Sequence, residues 1–455
     1  MGETLQQSNN QTDRKAKLKQ IAAVGIPAVI ESILLVVITA IDTKMISGLG
    51  KAAVSAVSFT TQPKLIILAI FYAMGTAASV FVAQALGKKD RDEANAYFQA
   101  ILVITIILSL ILGILCAIFA GPIMKLCNHQ DDTVGMSIDF FRIIMAFLVF
   151  NCVSIVLNAS LRGIGKTRLT LVSSIAMGIV DVIVNYLLIE GHCGFPRLEI
   201  VGDALGTVFS MLAACIISII LLIRHSDFLT FKGMRHPKKD PEVLRNIRNK
   251  AGNIVFENLF TRIGFLLSSI IISGLSSDLT AVYSVTMILL NYSFSFGDGL
   301  QAAVVTLAGR SMGAEKYQDV KDYVHLCLLV GAALSVVLSA IYLFGARGFY
   351  GMYFEDEAAI SQGISYTYVA AVLTFMQIIR IINVGAMRSM GEVKIPRRMA
   401  TICVLVINPA VAYLLTAVFS FGVWGIWIAS LTSQVCWLVM STIKGRQCMN
   451  RLPLT

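Results

Sequence analysis

The residues of this sequence with chemistry to offer are carboxylates inside long apolar runs. The first run, Ile21 to Ser47, is long enough to cross a bilayer, for which about 20 apolar residues suffice, yet it holds Pro27, Glu31, Asp42 and Lys44. Glu31 and Asp42 stand close to three helical turns apart, on one face and about 16 Å from each other along the axis. A charge facing lipid is costly, so this face is expected to turn toward protein or water. Pro27 lacks a backbone donor and can bend the helix one turn before Glu31. In a later run Asp181 and Asn185 share a face at i,i+4. Two carboxylates brought close in a low-dielectric cleft do not both ionise easily. Asp42 with Asp181 can therefore take up a proton or, joined by the neutral oxygen of Asn185, hold Na⁺.

The elements that must position these side chains are membrane helices. The chain has 455 residues, 56% of them hydrophobic and 14% charged, with a mean hydropathy of +0.77, a balance no ordinary soluble domain shows. Twelve apolar segments follow one another, roughly 21–47, 52–86, 94–120, 136–158, 168–189, 201–223, 251–274, 279–308, 323–345, 360–384, 398–420 and 422–443. The polar start carries Arg14, Lys15, Lys17 and Lys19 and no small-residue cleavage site, so the first helix is read as uncleaved. With the N-terminus inside, Lys51, Lys125, Arg197 and Arg347 lie outside and five basic residues lie within spans, which leaves 28 of the 37 Lys and Arg on the cytoplasmic side. That bias fixes both termini in the cytoplasm. It also explains the formal charge of +10 without nucleic acid, which is not expected as a partner.

The chain is an internal duplication. Shifted by 226 residues, Glu31 meets Glu257, the stretch Ile46 to Leu49 meets Ile272 to Leu275, Tyr97 meets Tyr323, Arg162 meets Arg388 and Gly165 meets Gly391. One residue more pairs Asp181 with Asn408 and Tyr186-Leu187-Leu188 with Tyr413-Leu414-Leu415. The fold class is thus an all-α integral membrane protein of twelve transmembrane helices, built as two six-helix lobes in the same orientation. The expected organisation is a cytoplasmic tail 1–19, a first lobe 20–223, a cytoplasmic linker 224–250 with His236-Pro237 and Asp240-Pro241, a second lobe 251–444 and a cytoplasmic tail 445–455. Asp42 maps onto Ser268, so the copies are expected to differ in role.

The segments AIDTKMISGLG (Ala40 to Gly50), LRGIGKTR (Leu161 to Arg168) and DVIVNYLLI (Asp181 to Ile189), with their partners in the second half, resemble the multidrug and toxic compound extrusion (MATE) transporters. The resemblance spans about residues 20 to 443. It implies an antiporter of the plasma membrane exporting organic, often cationic, compounds in exchange for H⁺ or Na⁺, with no other cofactor. It places Asp42 on the family's coupling aspartate, with Asp181 and Asn185 as its polar companions. Glu257 falls on a seventh-helix acid that resembles a sodium ligand in one branch. That branch also has a tenth-helix aspartate where this chain has Gln377, which speaks against a second-lobe sodium site.

Other features have plainer readings. Glu31 and Glu257 are expected to lock an inner gate, to make secondary cation contacts or to satisfy polar groups of their own lobes. Arg380, at i,i+3 from Gln377, is expected to pair with Asp298 or Glu257, and Arg142 with Asp139. Gly165-Lys166-Thr167 imitates a P-loop ending, but Ser160 stands where that motif needs Gly. Tyr283, Tyr292, Phe294, Phe296 and Met287 could form a drug surface, though packing is the commoner use of such residues. Nine scattered cysteines, without a CxxC pair, and five histidines, without HExxH spacing, indicate neither a metal site nor a disulfide framework. A lipid-linked oligosaccharide flippase would show a more basic cavity, and a major-facilitator transporter a Gly-rich basic motif where Gly87 to Asp92 stands. No nucleophile and base pairing suggests an enzyme. The expected partners are small organic molecules and the bilayer, with the chain a monomer.

Overall fold

The computed structural model describes residues 2–127, 131–232, 241–273 and 277–453. His236, Pro237 and Asp240 of the expected linker, and Gly274 and Leu275 of the expected repeat, lie outside the described residues. Among the described residues there is no strand. In chain order come α1 (Gly2–Ser47), α2 (Lys51–Lys88), α3 (Arg91–Ile118), α4 (Ala120–Cys127), α5 (Asp131–Ala146), α6 (Leu148–Gly163), α7 (Thr167–Ile189) and α8 (Glu199–His225). The second half holds α9 (Pro241–Ser273), α10 (Ser277–Gly313), α11 (Tyr317–Gly351), α12 (Glu357–Ser389), α13 (Lys394–Ala400), α14 (Asn408–Tyr413) and α15 (Gly422–Asn450).

The described residues of all twelve expected segments are predominantly helical. Among the described residues ten helical stretches are long and apolar enough to cross a membrane, and 11 if α5 and α6, bent by 52° at their junction, form one span. The segment outside that set is α10. The polarity of α3 is that of a lipid-facing helix: Thr105 and Ser109 are buried, whereas Ile107 and Ile114 are 54% and 55% exposed. In water that arrangement would be inverted. The multi-pass membrane protein foreseen from hydropathy is what the chain builds.

The duplication shows in how helices end. α6 and α12 stop at Gly163 and Ser389, 226 residues apart. After α6, Gly165 N–H donates to the Arg162 carbonyl at 2.8 Å and Lys166 N–H to that of Leu161 at 2.9 Å. After α12, Gly391 N–H donates to the Arg388 carbonyl at 3.0 Å and Glu392 N–H to that of Met387 at 2.9 Å. Gly165 and Gly391 have φ of +81° and +86°, the left-handed conformation that closes a helix and that glycine adopts without a Cβ clash. The P-loop look-alike is a helix cap.

The copies differ inside their helices. The fourth span of the first copy is the bent α5/α6 pair, whereas α12 runs unbroken. The fifth span is regular in α7, but in the second copy it winds as π-helix over Thr401–Ile407 and Leu414–Val418.

The chain divides into two compact units, one of Ile33–Leu259 and one of Met1–Ser32 with Phe260–Thr455. The division falls within α1 and within α9. In the latter unit the start of α1 is fastened to α11: Lys17 Nζ lies 2.8 Å from Asp319 Oδ1, 2.7 Å from Asp322 Oδ2 and 2.8 Å from its own helix's Asp13 Oδ2. The same unit has an aromatic core in which Tyr283 meets Trp427 with ring centroids 4.9 Å apart and Met287 packs alongside. Those two residues of the suggested drug surface are packing residues. Arg142 Nη1 reaches Asp139 Oδ1 at 3.9 Å, with both side chains exposed.

Candidate functional site

The acids of the first copy meet where α1, α7 and α8 approach one another. Close approach depends on small residues. A Cβ on Gly178 of α7 would stand 2.4 Å from Ile38 Cδ1 of α1, one on Gly202 of α8 2.5 Å from the Leu188 carbonyl, and one on Gly206 1.8 Å from Asn185 Oδ1. Each contact would force its neighbour to move, and at Gly202 that neighbour is the Leu188 backbone, so glycine there lets α8 lie close against the end of α7. Gly178 admits Ile38, and Asp42 follows one turn later in α1 on the same face. Gly206 makes room for the Asn185 amide.

Asp42 is the centre of the cluster. Its Oδ1 accepts a hydrogen bond from Asn185 Nδ2 at 2.7 Å, and its carboxyl is within hydrogen-bonding reach of Asp203 in α8. Asp203 is fully buried, and neither of its oxygens receives a donor from another side chain or backbone group among the described residues. Two carboxylates are acceptors only. The contact between Asp42 and Asp203 is therefore a hydrogen bond only when one of them carries a proton. Asp181 is buried on α7, within reach of the Ser210 hydroxyl and close enough to act electrostatically on Asp42. The half-buried Lys64 of α2 acts on all three acids. Among the described residues no three His, Cys, Asp and Glu side chains stand together as a metal-ligating group, these acids included.

The structure thus brings Asp42, Asp181 and Asn185 together and adds Asp203, Lys64 and Ser210. The signal for Asp203 and Lys64 was present, since both are charges within apolar segments. Asp203 escapes a comparison at a shift of 226 because the loops before the sixth helices differ in length. Gly425 backs onto Leu415, at 3.0 Å from a would-be Cβ, as Gly202 backs onto Leu188. Aligned on these glycines, Asp203 corresponds to Ile426. The second copy has no acid at any of these positions: Asp42, Lys64, Asp181 and Asp203 become Ser268, Leu290, Asn408 and Ile426.

Glu31 and Glu257 are both buried, in α1 and α9, and α1 continues as helix on either side of Pro27. Gln377 and Arg380 are buried on α12. Arg380 Nε donates to Gln434 Oε1 at 3.1 Å, and its guanidinium lies 3.9 Å from the centroid of the Trp437 ring, a cation–π contact.

Two like helical lobes with a buried ionisable cluster in one of them define a membrane transporter. The MatE family model matches the chain twice, over residues 27–187 and 254–414, so the chain belongs to the MatE family and each lobe is one copy of its repeat. A probable multidrug resistance protein NorM of Thermotoga maritima is 21% identical over 426 residues, covering 94% of this chain and 91% of that protein. Among solved structures, an outward-facing multidrug resistance MATE family transporter superposes with a TM-score of 0.86 at 18% identity, over 96% of this chain and 97% of that one. A MOP superfamily transporter from Pyrococcus furiosus, described as having a binding pocket of reverse polarity that suggests a different function, superposes with a TM-score of 0.87 at 17% identity over the same shares.

Proposed function

We propose that the chain is a proton-coupled antiporter that exports organic cations, with Asp42, Asp203, Asp181 and Asn185 as the site where proton and substrate compete. The observation that carries this reading is the contact of Asp42 with Asp203 beside the Asn185 amide. Three acids and one lysine leave excess negative charge in a buried setting, which is costly unless a cation or a proton completes it. A proton held between Asp42 and Asp203 lowers that charge. An organic cation entering the site restores the need for both carboxylates in their charged form and expels the proton. Occupancy by one ligand thus disfavours the other, which exchange requires. Sodium is the weaker reading, because the acids do not form a ligand set and Gln377 replaces the second-lobe acid. Lys64 sets the charge the site presents, Glu31 and Glu257 offer secondary cation contacts, and Pro27 is the point at which α1 can bend.

The relatives named as probable multidrug resistance proteins support an efflux role. The test is uptake of a fluorescent organic cation by proteoliposomes under a proton gradient and, separately, a sodium gradient. Transport driven by the proton gradient and lost in Asp42→Asn at equal expression is the expected result. Transport driven by sodium alone, undisturbed when the pH gradient is collapsed, would reject the proton. Failure of both gradients would favour the lipid-linked oligosaccharide flippase.

A further inference from the structure

The second copy holds a cluster that neither the acid site nor the exchange mechanism uses. Cys403 Sγ and Cys436 Sγ each lie 3.9 Å from Met440 Sδ, and the two thiols are within hydrogen-bonding reach of each other. Cys436 and Met440 stand at i,i+4 on α15, so they share a face. Cys403 faces them from the π-helical stretch Thr401–Ile407. Widened turns of that kind recur at functional sites. The Cys403 carbonyl is pinned by the Ser433 hydroxyl at 2.7 Å, which holds its backbone against α15. Both cysteines are free thiols.

We propose that Cys403, Cys436 and Met440 form a trigonal site for a soft monovalent metal ion, copper(I). With each thiol 3.9 Å from the thioether, an ion held among the three sulfurs can stand about 2.3 Å from each, an ordinary metal–sulfur bond length. Thiolate and thioether ligands together select copper(I) over the harder cations. Cys403 is fully buried and Cys436 partly so, which suits a three-coordinate ion shielded from water. Binding releases the two thiol protons, moves no electron, and leaves a site of one excess negative charge. Arg380, stacked on Trp437 beside Cys436 and within electrostatic range of Cys403, supplies positive charge against it.

The experiment is an anaerobic titration of the purified full-length chain with copper(I) buffered by a chromophoric chelator. Cys127 and Cys193, both exposed, are replaced by serine in the parent to remove surface binding. The parent is expected to take one copper(I) with a sulfur-to-copper absorption band and an X-ray absorption shell of three sulfurs. Cys403→Ser and Cys436→Ser each abolish the band, and Cys448→Ser, in the same apolar cluster, keeps it. Met440→Leu preserves volume and fold; it reduces the shell to two sulfurs and weakens binding by about tenfold or more. No copper uptake by the parent, a two-sulfur shell in the parent, or uptake unchanged in Cys403→Ser or Cys436→Ser would overturn the assignment.

Discussion

The two copies of the repeat agree where the chain must turn and disagree where it must handle charge. The ends of α6 and α12 recur 226 residues apart, down to the capping glycines Gly165 and Gly391 with φ of +81° and +86°. At the four charged positions of the first-copy site the second copy carries Ser268, Leu290, Asn408 and Ile426. Backbone geometry is therefore what the duplication preserved, and charged groups at these positions are what one copy alone carries. The second copy buries a basic group, Arg380 on Trp437 with Gln434, and its fifth span is widened by π turns where the first is regular. A lobe without titratable acids at these positions can serve as the reference against which the acid lobe is read.

The largest departure should come from removing the acid that sequence comparison alone misses. Asp203→Asn keeps the shape and a hydrogen bond to Asp42 but not the shared proton. Proton-driven transport is expected to fall by roughly a hundredfold, the factor that about 2.7 kcal/mol carries, while Ile426→Leu at the equivalent place leaves it intact. Transport by Asp203→Asn equal to the parent's would remove Asp203 from the mechanism. A smaller effect is expected from Lys64→Leu, which installs the residue of the second copy. Losing one positive charge near the acids should tighten binding of a monovalent organic cation on the order of tenfold, read by equilibrium binding in detergent. Weaker binding would mean that Lys64 contacts the substrate favourably.

The smallest effect tests the likeness itself. Gly165→Ala and Gly391→Ala both place a Cβ in a left-handed cap, so each should lower stability by about 1 kcal/mol. Equal losses in thermal unfolding would support a shared cap; a loss confined to one lobe would break the equivalence.

Much of this was legible in the sequence because membrane helices declare themselves by hydropathy and because the repeat is nearly in register. Asp42, Asp181 and Asn185 could be grouped since intramembrane polar residues have few places to go. Asp203 was not legible by the same route, as its counterpart lies three residues off the shift, where Gly425 rather than the residue 226 positions on takes the place of Gly202. Lys64 was counted only as a charge within a span; that it acts on Asp42, Asp181 and Asp203 depends on how α2 packs. The sulfur cluster needed the π turn that brings Cys403 to face α15, a feature no periodicity announces. Tyr283 and Met287 show the converse: residues suited to a binding surface that the fold uses as core.

The most direct measurement is proton release on substrate binding. An organic cation is added to the purified chain in weakly buffered detergent near neutral pH, and the pH of the solution is followed. The account predicts release of about one proton per bound cation, absent in Asp42→Asn and in Asp203→Asn. Cation binding with no proton released, or with the same release in both variants, would contradict competition at this site.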